Sequence, residues 1–317
     1  MVICYNLDNE RKGDEMKLQQ LKYAIAVADA GSINEAAKQL FVAQPSLSSA
    51  IKELEEELSF EIFIRSSKGV SLSNEGSEFI AYAKQVMEQV ANLERRFLQA
   101  DHETNFLSIS AQHYAFAIEA LIDYINDHAP DRYDYSIREC RTSEVVEDVK
   151  TFRSEIGILM TSNFNEKVML RYFKDNHIEF VPLTTSTPHV FLTKKHPLAK
   201  KDLIKLSELE EYPYLCYQQN YNDSVYFSEE IMSGLMHMRR IYVDDRASIF
   251  NLMRGVDGVT LGSHFNCASM NGDDIITVPL DSDEVMTLGY IKLMHSTLSV
   301  QANDYIEKLK GVIERES

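Results

Sequence analysis

The chain has 317 residues and a formal net charge of −17 at pH 7, a length that suits two or three folding units. So acidic a total argues against a chain that is basic throughout, the simplest kind of nucleic-acid binder. The lack of any long uncharged apolar run argues against a helical membrane span. Net charge is a sum, however: between Met16 and Leu72 six Lys/Arg stand against seven Asp/Glu, so this region is nearly neutral and the acidity lies further along.

The opening MVICYNLDNERKGDEMKLQ lacks the basic-then-apolar pattern of an export signal, which sets a cytoplasmic expectation with no membrane partner. Met16 is a candidate natural start, with the preceding residues an extension. Cys4, Cys140, Cys216 and Cys267 are far apart and have no CxxC or histidine spacing around them. Neither structural zinc nor a disulfide framework is expected.

Helical periodicity starts at Leu18, where Leu18, Leu21, Ile25 and Ala28 mark one face and Gly31 can end the helix in the left-handed region. Ser32 and Glu35 have the spacing of a capping box for a second helix, whose small Ala36 and Ala37 permit close packing. Pro45 suits the first position of a third helix, and Leu47, Ile51, Leu54 and Leu58 give it a buried stripe. Three short helices with tight turns describe a helix-turn-helix, and FEIFIRSSKGVSLSN adds two short strands around Lys68-Gly69, a wing.

Gln44, Pro45, Ser46, Ser48, Ser49 and Lys52 lie at the start or outer side of the third helix, where side chains can meet base edges or phosphates in a major groove. The plainer alternative is a polar turn and a solvated face. Arg65 and Lys68 are the candidate phosphate anchors in the wing, with Gln19 and Gln20 as lesser candidates. From Glu75 to Glu103, Phe79, Ala83, Val86, Val90, Leu93 and Phe97 alternate in steps of four and three, the spacing of a coiled-coil seam. Its place after the wing favours pairing with a second copy, although a stripe of this kind can also pack within its own domain.

From Phe106 onward, strand and helix signals alternate through LSISA, HYAFAIEALIDYINDHA, SIRECR, SEVVEDVKTF and EIGILM to the amphipathic SVQANDYIEKLKGVI. The spacing predicts an α/β region with mostly parallel sheets, with further helices at IKLSEL and from Tyr226 to Met236. There is no GxGxxG, Walker loop, HExxH or GxSxG, and no nucleophile-base or metal spacing. No catalytic residue, cofactor or metal is expected. Polar residues recur after strands, where such sheets bind ligands. They are Ser110, Gln112 and His113; Thr161 and Ser162; Gln218, Gln219 and Asn220; and Thr260 with Ser263. Ordinary helix capping is an equal account of Ser110.

The stretch MKLQQLKYAIAVADAGSINEAAKQLFVAQPSLSSAIKELEEELSFEIFIRSSKGVSLSNEG resembles the N-terminal signature of LysR-type transcriptional regulators. KKHPLA at Lys194–Ala199 and VDDRASIFNLMRGVDGVTLGS are similar to features of that family's effector domain. The resemblance covers the chain from Met16 onward. It implies a multidomain protein: a winged helix-turn-helix (16–73), a long linker and dimerisation helix (74–103), and a two-lobed α/β effector domain like periplasmic binding proteins. The first lobe is expected over 104–183 and 283–317, the second over 184–282. Implied partners are a promoter operator in double-stranded DNA, a small-molecule effector for which a carboxylate is suggested, a second copy in a homodimer that assembles to a homotetramer, and RNA polymerase. Gln44, Pro45, Ser46, Ser48 and Arg65 match the family's DNA-binding pattern. Ser49 departs from the arginine common beside that serine, and Ser59 stands where a turn glycine is common. The runner-up reading is a small-molecule-binding protein whose DNA module is weak or mainly structural.

Overall fold

The computed structural model describes residues 16–66, 69–97, 104–128, 131–219, 224–229 and 239–316. The chain falls into two units, Met1–Gln99 and Ala100–Ser317.

In the first unit, α1 (Leu18–Ala30), α2 (Ile33–Gln39) and α3 (Gln44–Leu58) enclose a core that includes Ala24, Val27, Ala36, Leu47, Ile51 and Leu54. Gly31 ends α1 at φ 60°, its N–H donating to the Val27 carbonyl at 3.0 Å. Ser32 Oγ accepts the Glu35 N–H at 3.4 Å, so half of the capping box forms; the Glu35 carboxylate takes Lys38 Nζ at 3.3 Å instead. Pro45 is the second helical residue, because Gln44 opens α3; its missing N–H is equally harmless there, since the first four amides of a helix have no partner within it. Ser59 ends α3 at φ 61°, a left-handed conformation that disfavours a side chain.

The wing is an antiparallel pair, β1 (Phe63–Ser66) and β2 (Gly69–Leu72). Glu55 Oε1 holds its root by accepting the amides of Ile62 at 2.9 Å and Phe63 at 3.0 Å. Helix α4 (Asn74–Phe97) follows at once. A Cβ on Gly76 would lie 2.1 Å from the Ile62 carbonyl oxygen, so only glycine lets α4 start this close to the wing. Ile80 and Ala83 are buried at its start, whereas Val86 and Leu93 further along are 43% and 57% exposed. The side chain of Phe97 and residues 98–103 of the expected helix lie outside the described residues.

The second unit opens with β3 (Asn105–Ala111), α5 (Ala115–His128), β4 (Tyr133–Glu139), α6 (Thr142–Lys150), β5 (Ile156–Ser162), α7 (Glu166–Asp175) and β6 (Ile178–Ser186). A second lobe then runs through β7 (His189–Thr193), β8 (Tyr214–Tyr217), β9 (Arg240–Val243), α8 (Arg246–Val256), β10 (Thr260–Gly262), the short α9 (Ala268–Asn271) and β11 (Ile275–Pro279). The chain returns in β12 (Met286–Leu293) and ends in α10 (Val300–Glu316).

The first lobe is a sheet of order β4-β3-β5-β12-β6 with α5 and α10 packed on one face (Phe116, Tyr305, Leu309) and α6 and α7 on the other (Val145, Val149, Met169, Phe173). Only β3, β4 and β5 run parallel; β12 is antiparallel to both neighbours, because it re-enters the sheet after the excursion into the second lobe. The second lobe combines an antiparallel β10-β7-β11 sheet with a parallel β8-β9 pair. The sheets are therefore mixed, not mostly parallel. The helix expected at IKLSEL is a 3-10 turn, Leu206–Leu209. Of the one expected from Tyr226 to Met236, the start lies in a 3-10 turn, Val225–Phe227, and residues 230–238 are outside the described residues.

Candidate functional site

The first candidate surface is the start of α3. Gln44, Pro45, Ser46 and Ser49 are exposed there, and Ser48 is half-buried. Leu47, Ile51 and Leu54 hold the opposite side of the helix in the core, each fully buried. Lys52 is exposed and lies 3.3 Å from Glu56, and the Arg65 guanidinium lies 3.7 Å from Glu55. Both cations are thus partly compensated within the unit. Lys68 lies outside the described residues. Gln19 is exposed and donates to the Tyr23 hydroxyl, whereas Gln20 is buried and bonded to Lys17 and Glu57. Phe41, in the turn before α3, is 96% exposed at φ 55°.

The second candidate is the space between the two lobes of the second unit. His113 sits between β3 and α5. Its backbone N–H donates to Glu229 Oε1 at 2.8 Å, and its Nδ1 is 2.8 Å from Glu229 Oε2. Its ring stacks on Tyr217 with centroids 3.9 Å apart and planes 10° from parallel. Burial works against a charge on this imidazole. The hydrogen bond and negative charge of Glu229, the charge of Glu139 and the Asp244 backbone carbonyl outweigh it, and the His113 pKa is raised. Burial, then the charge of Glu229, raises the Tyr114 and Tyr217 hydroxyls well above the ordinary tyrosine value.

Two arginines tie the lobes together. Arg246, at the start of α8, donates to both Glu139 oxygens at the end of β4 and lies 3.4 Å from Asn271 Oδ1. Arg141 Nε donates to the Gln218 carbonyl at 2.6 Å, and its guanidinium reaches Asp244 at 3.2 Å. Beside His113 a cavity of about 70 Å³ is walled by Phe116, Phe191, Ile249, Phe265 and Met286, with Thr260 and Ser263 as polar groups. An adjoining polar pocket of about 340 Å³ is lined by Arg138, Glu139, Arg141, Gln218 and Asp244.

Of the sequence-derived effector residues, the structure brings His113 and Thr260 to the first cavity, and Gln218 with His113 to the second. Ser110 is turned away, buried and bonded to Asp148 at 2.6 Å and Ser154 at 2.8 Å. Gln112 is also buried, its amide spent on Thr142, the Met160 N–H and the Tyr114 hydroxyl. Thr161 is buried on β5, paired with Thr287 of β12, and lines neither cavity. Gln219 bonds back to the Tyr217 carbonyl, and Asn220 is outside the described residues. Sequence reading missed Tyr217, Glu229, Arg246 and Arg141, which no local motif connects to His113.

Among the described residues, Glu119, Cys267 and Glu316 present ligand atoms within 4.8 Å of one another. Glu119 is already bonded to Ser269 and Arg315, and Glu316 to the Cys267 amide. Burial, then the nearby carboxylates, pushes the Cys267 thiol far up. The cluster therefore holds a protonated thiol in satisfied company.

Residues 18–77 match the family described as bacterial regulatory helix-turn-helix protein, lysR family, and residues 117–312 match the LysR substrate binding domain. The chain belongs to the LysR family. It is 30% identical over 210 residues to the HTH-type transcriptional regulator CysB of Burkholderia cenocepacia, covering 64% of this chain and 63% of that one. To the regulator CzcR of Bacillus thuringiensis it is 28% identical over 141 residues, 44% of this chain and 47% of that one. These alignments thus span less than two thirds of either relative. The crystal structure of full-length CbnR complexed with its target DNA shares the LysR fold at a TM-score of 0.63 and 18% identity, covering 95% of this chain and all of that one.

Proposed function

We propose that this chain is a sequence-specific DNA-binding transcriptional regulator whose activity is modulated by a small metabolite carrying a carboxylate. The observation that carries the reading is the exposed start of α3, presented by a buried Leu47-Ile51-Leu54 stripe, in a chain that also bears a two-lobed domain with a cavity at His113. Residues 16–73 form the DNA-binding domain and 74–103 the linker. Residues 104–183 with 283–317, and 184–282, form the two effector lobes. Gln44, Pro45, Ser46, Ser48, Ser49, Lys52, Arg65 and Lys68 face the operator. Copies pair along the exposed seam of α4 into a homodimer and then a homotetramer, which acts in the cytoplasm with RNA polymerase as a further partner. Among the described residues no helix is long and apolar enough to cross a membrane. The lobes bind and report; catalysis has no assigned residue.

The test is binding of the full chain to its own upstream promoter across a salt series, against an unrelated duplex of equal length. Preference for the promoter at every salt concentration supports the reading, and equal affinity for both duplexes sinks it. The second reading, a small-molecule-binding protein with a weak DNA module, is favoured by the pairing of Lys52 with Glu56 and Arg65 with Glu55. It predicts no promoter retention in cells.

A further inference from the structure

The seat beside His113 already holds a carboxylate, and that carboxylate belongs to the chain itself. Glu229 places one oxygen on the His113 amide and the other on its imidazole, both at 2.8 Å, and the two side chains are only 5% and 6% exposed. An amide N–H and an imidazole nitrogen converging on the two oxygens of one carboxylate make a complete anion seat, which protonation of the ring strengthens. Tyr217 stacks on the ring and fixes its direction. Beyond the seat the cavity turns apolar at Phe191, Ile249, Phe265 and Met286.

Charge counting narrows what this seat accepts. Among the described residues, Arg246 is the one cationic side chain lining the cavity besides His113, and its guanidinium is committed to Glu139 and Asn271. With His113 protonated, the described residues around the cavity set two cations, His113 and Arg246, against two carboxylates, Glu229 and Glu139. One external carboxylate in place of Glu229 keeps that balance. A second would lie against Phe191 and Ile249 with only neutral groups such as Thr260 and Ser263 to meet it, desolvated and uncompensated in charge. The free volume of about 70 Å³ is well below the ~300–1,000 Å³ of common ligand pockets. A small body fits it, and displacement of the Glu229 side chain adds room.

We infer that the cavity is a binding site for a short monocarboxylic acid, occupied by Glu229 as an internal surrogate until such an acid displaces it. This rests on reading the second unit as a small-molecule-binding domain. An internal carboxylate acts at a high effective concentration, so an external acid meets a standing competitor and its apparent affinity is reduced. The acid that binds trades one carboxylate for another at His113, and what changes is the attachment of the Glu229 segment.

The experiment uses the full chain, wild type and Glu229→Ala, in thermal-shift titrations with acetate and propionate. Acetamide and chloride at matched ionic strength serve as controls. Glu229→Ala is expected to melt below wild type and to regain melting temperature as acetate or propionate fills the empty seat. It should respond at concentrations at least about 10-fold lower than wild type requires, because the competitor is gone. Acetamide should leave both proteins unchanged, and adding His113→Phe to Glu229→Ala should abolish the response. Equal responses of wild type and Glu229→Ala, no response to either acid, or an equal response to acetamide would overturn the inference. If Glu229→Ala does not fold, Glu229→Gln keeps the shape and removes the competing charge, and the same shift in acid concentration is expected. Promoter affinity separates the two levels. Acid binding that leaves promoter binding unchanged keeps the site and defeats the regulator reading, whereas promoter binding controlled only by an uncharged ligand does the reverse.

Discussion

Arg246 of α8 and Glu139 of β4 form an ion pair between the two lobes of the second unit, with side chains 17% and 27% exposed. Sequestered from most of the solvent, the pair is worth more than a surface contact and leaves a stranded charge when one partner is removed. Arg246→Met is expected to lower unfolding free energy by about 1–3 kcal/mol. Combining it with Glu139→Gln should cost less than the two single changes together. Urea unfolding of the full chain reads both, and strict additivity would deny the coupling.

His113 gives the same unit a pH dependence of defined sign. Its folded pKa is raised above 6.5 despite burial, through Glu229, Glu139 and the Asp244 carbonyl. Its contribution to stability is therefore fully present below pH 6.5 and is lost as pH rises through the folded value. Wild type should lose stability over that range relative to His113→Gln, whose profile should be flatter. A wild-type curve that climbs faster than the variant's would contradict the assignment.

Ser59 occupies a left-handed position at the end of α3. Removing its Cβ relieves local crowding, and Ser59→Gly is expected to stabilise the first unit by about 1 kcal/mol. Differential scanning calorimetry should show its transition rise by about 4 °C.

Ser49 is exposed on α3 and carries no charge. Ser49→Arg should tighten promoter binding at low salt and steepen the log-affinity against log-salt slope by about 0.9, the signature of one more phosphate contact. An unchanged slope would place this face of α3 away from the DNA backbone.

Val86 and Leu93 leave apolar surface open along α4. Val86→Lys with Leu93→Lys should convert the proposed dimer to monomer in sedimentation, since each buried side chain of this kind contributes about 1.5–3 kcal/mol. An unchanged mass would move the interface elsewhere.

Local patterns made the first unit legible. Gly31, Ser32, Pro45 and the Leu47-Ile51-Leu54 stripe act over a few residues, and their spacing alone locates helix ends and the buried face. Ser110 and Gln112 show the opposite case. They stand at the strand end where ligand groups belong, yet Asp148, Ser154 and Thr142, far along the chain, turn them inward. The His113–Glu229 contact spans 116 positions and has no periodic signature. β12 was hidden for a related reason: its place between β5 and β6 is set by the return from the second lobe, not by its own sequence.

The tight fit of Gly76 against Ile62 has a mechanical consequence. With no room for even a methyl group at that junction, α4 cannot swivel about its first turn without disturbing the wing. The helix and the module it carries then behave as one arm of a caliper. In the proposed dimer along α4, the gap between the two α3 helices would be set by where the seam closes, and a shift of that seam by one turn, about 5.4 Å, would be delivered to the DNA without slack.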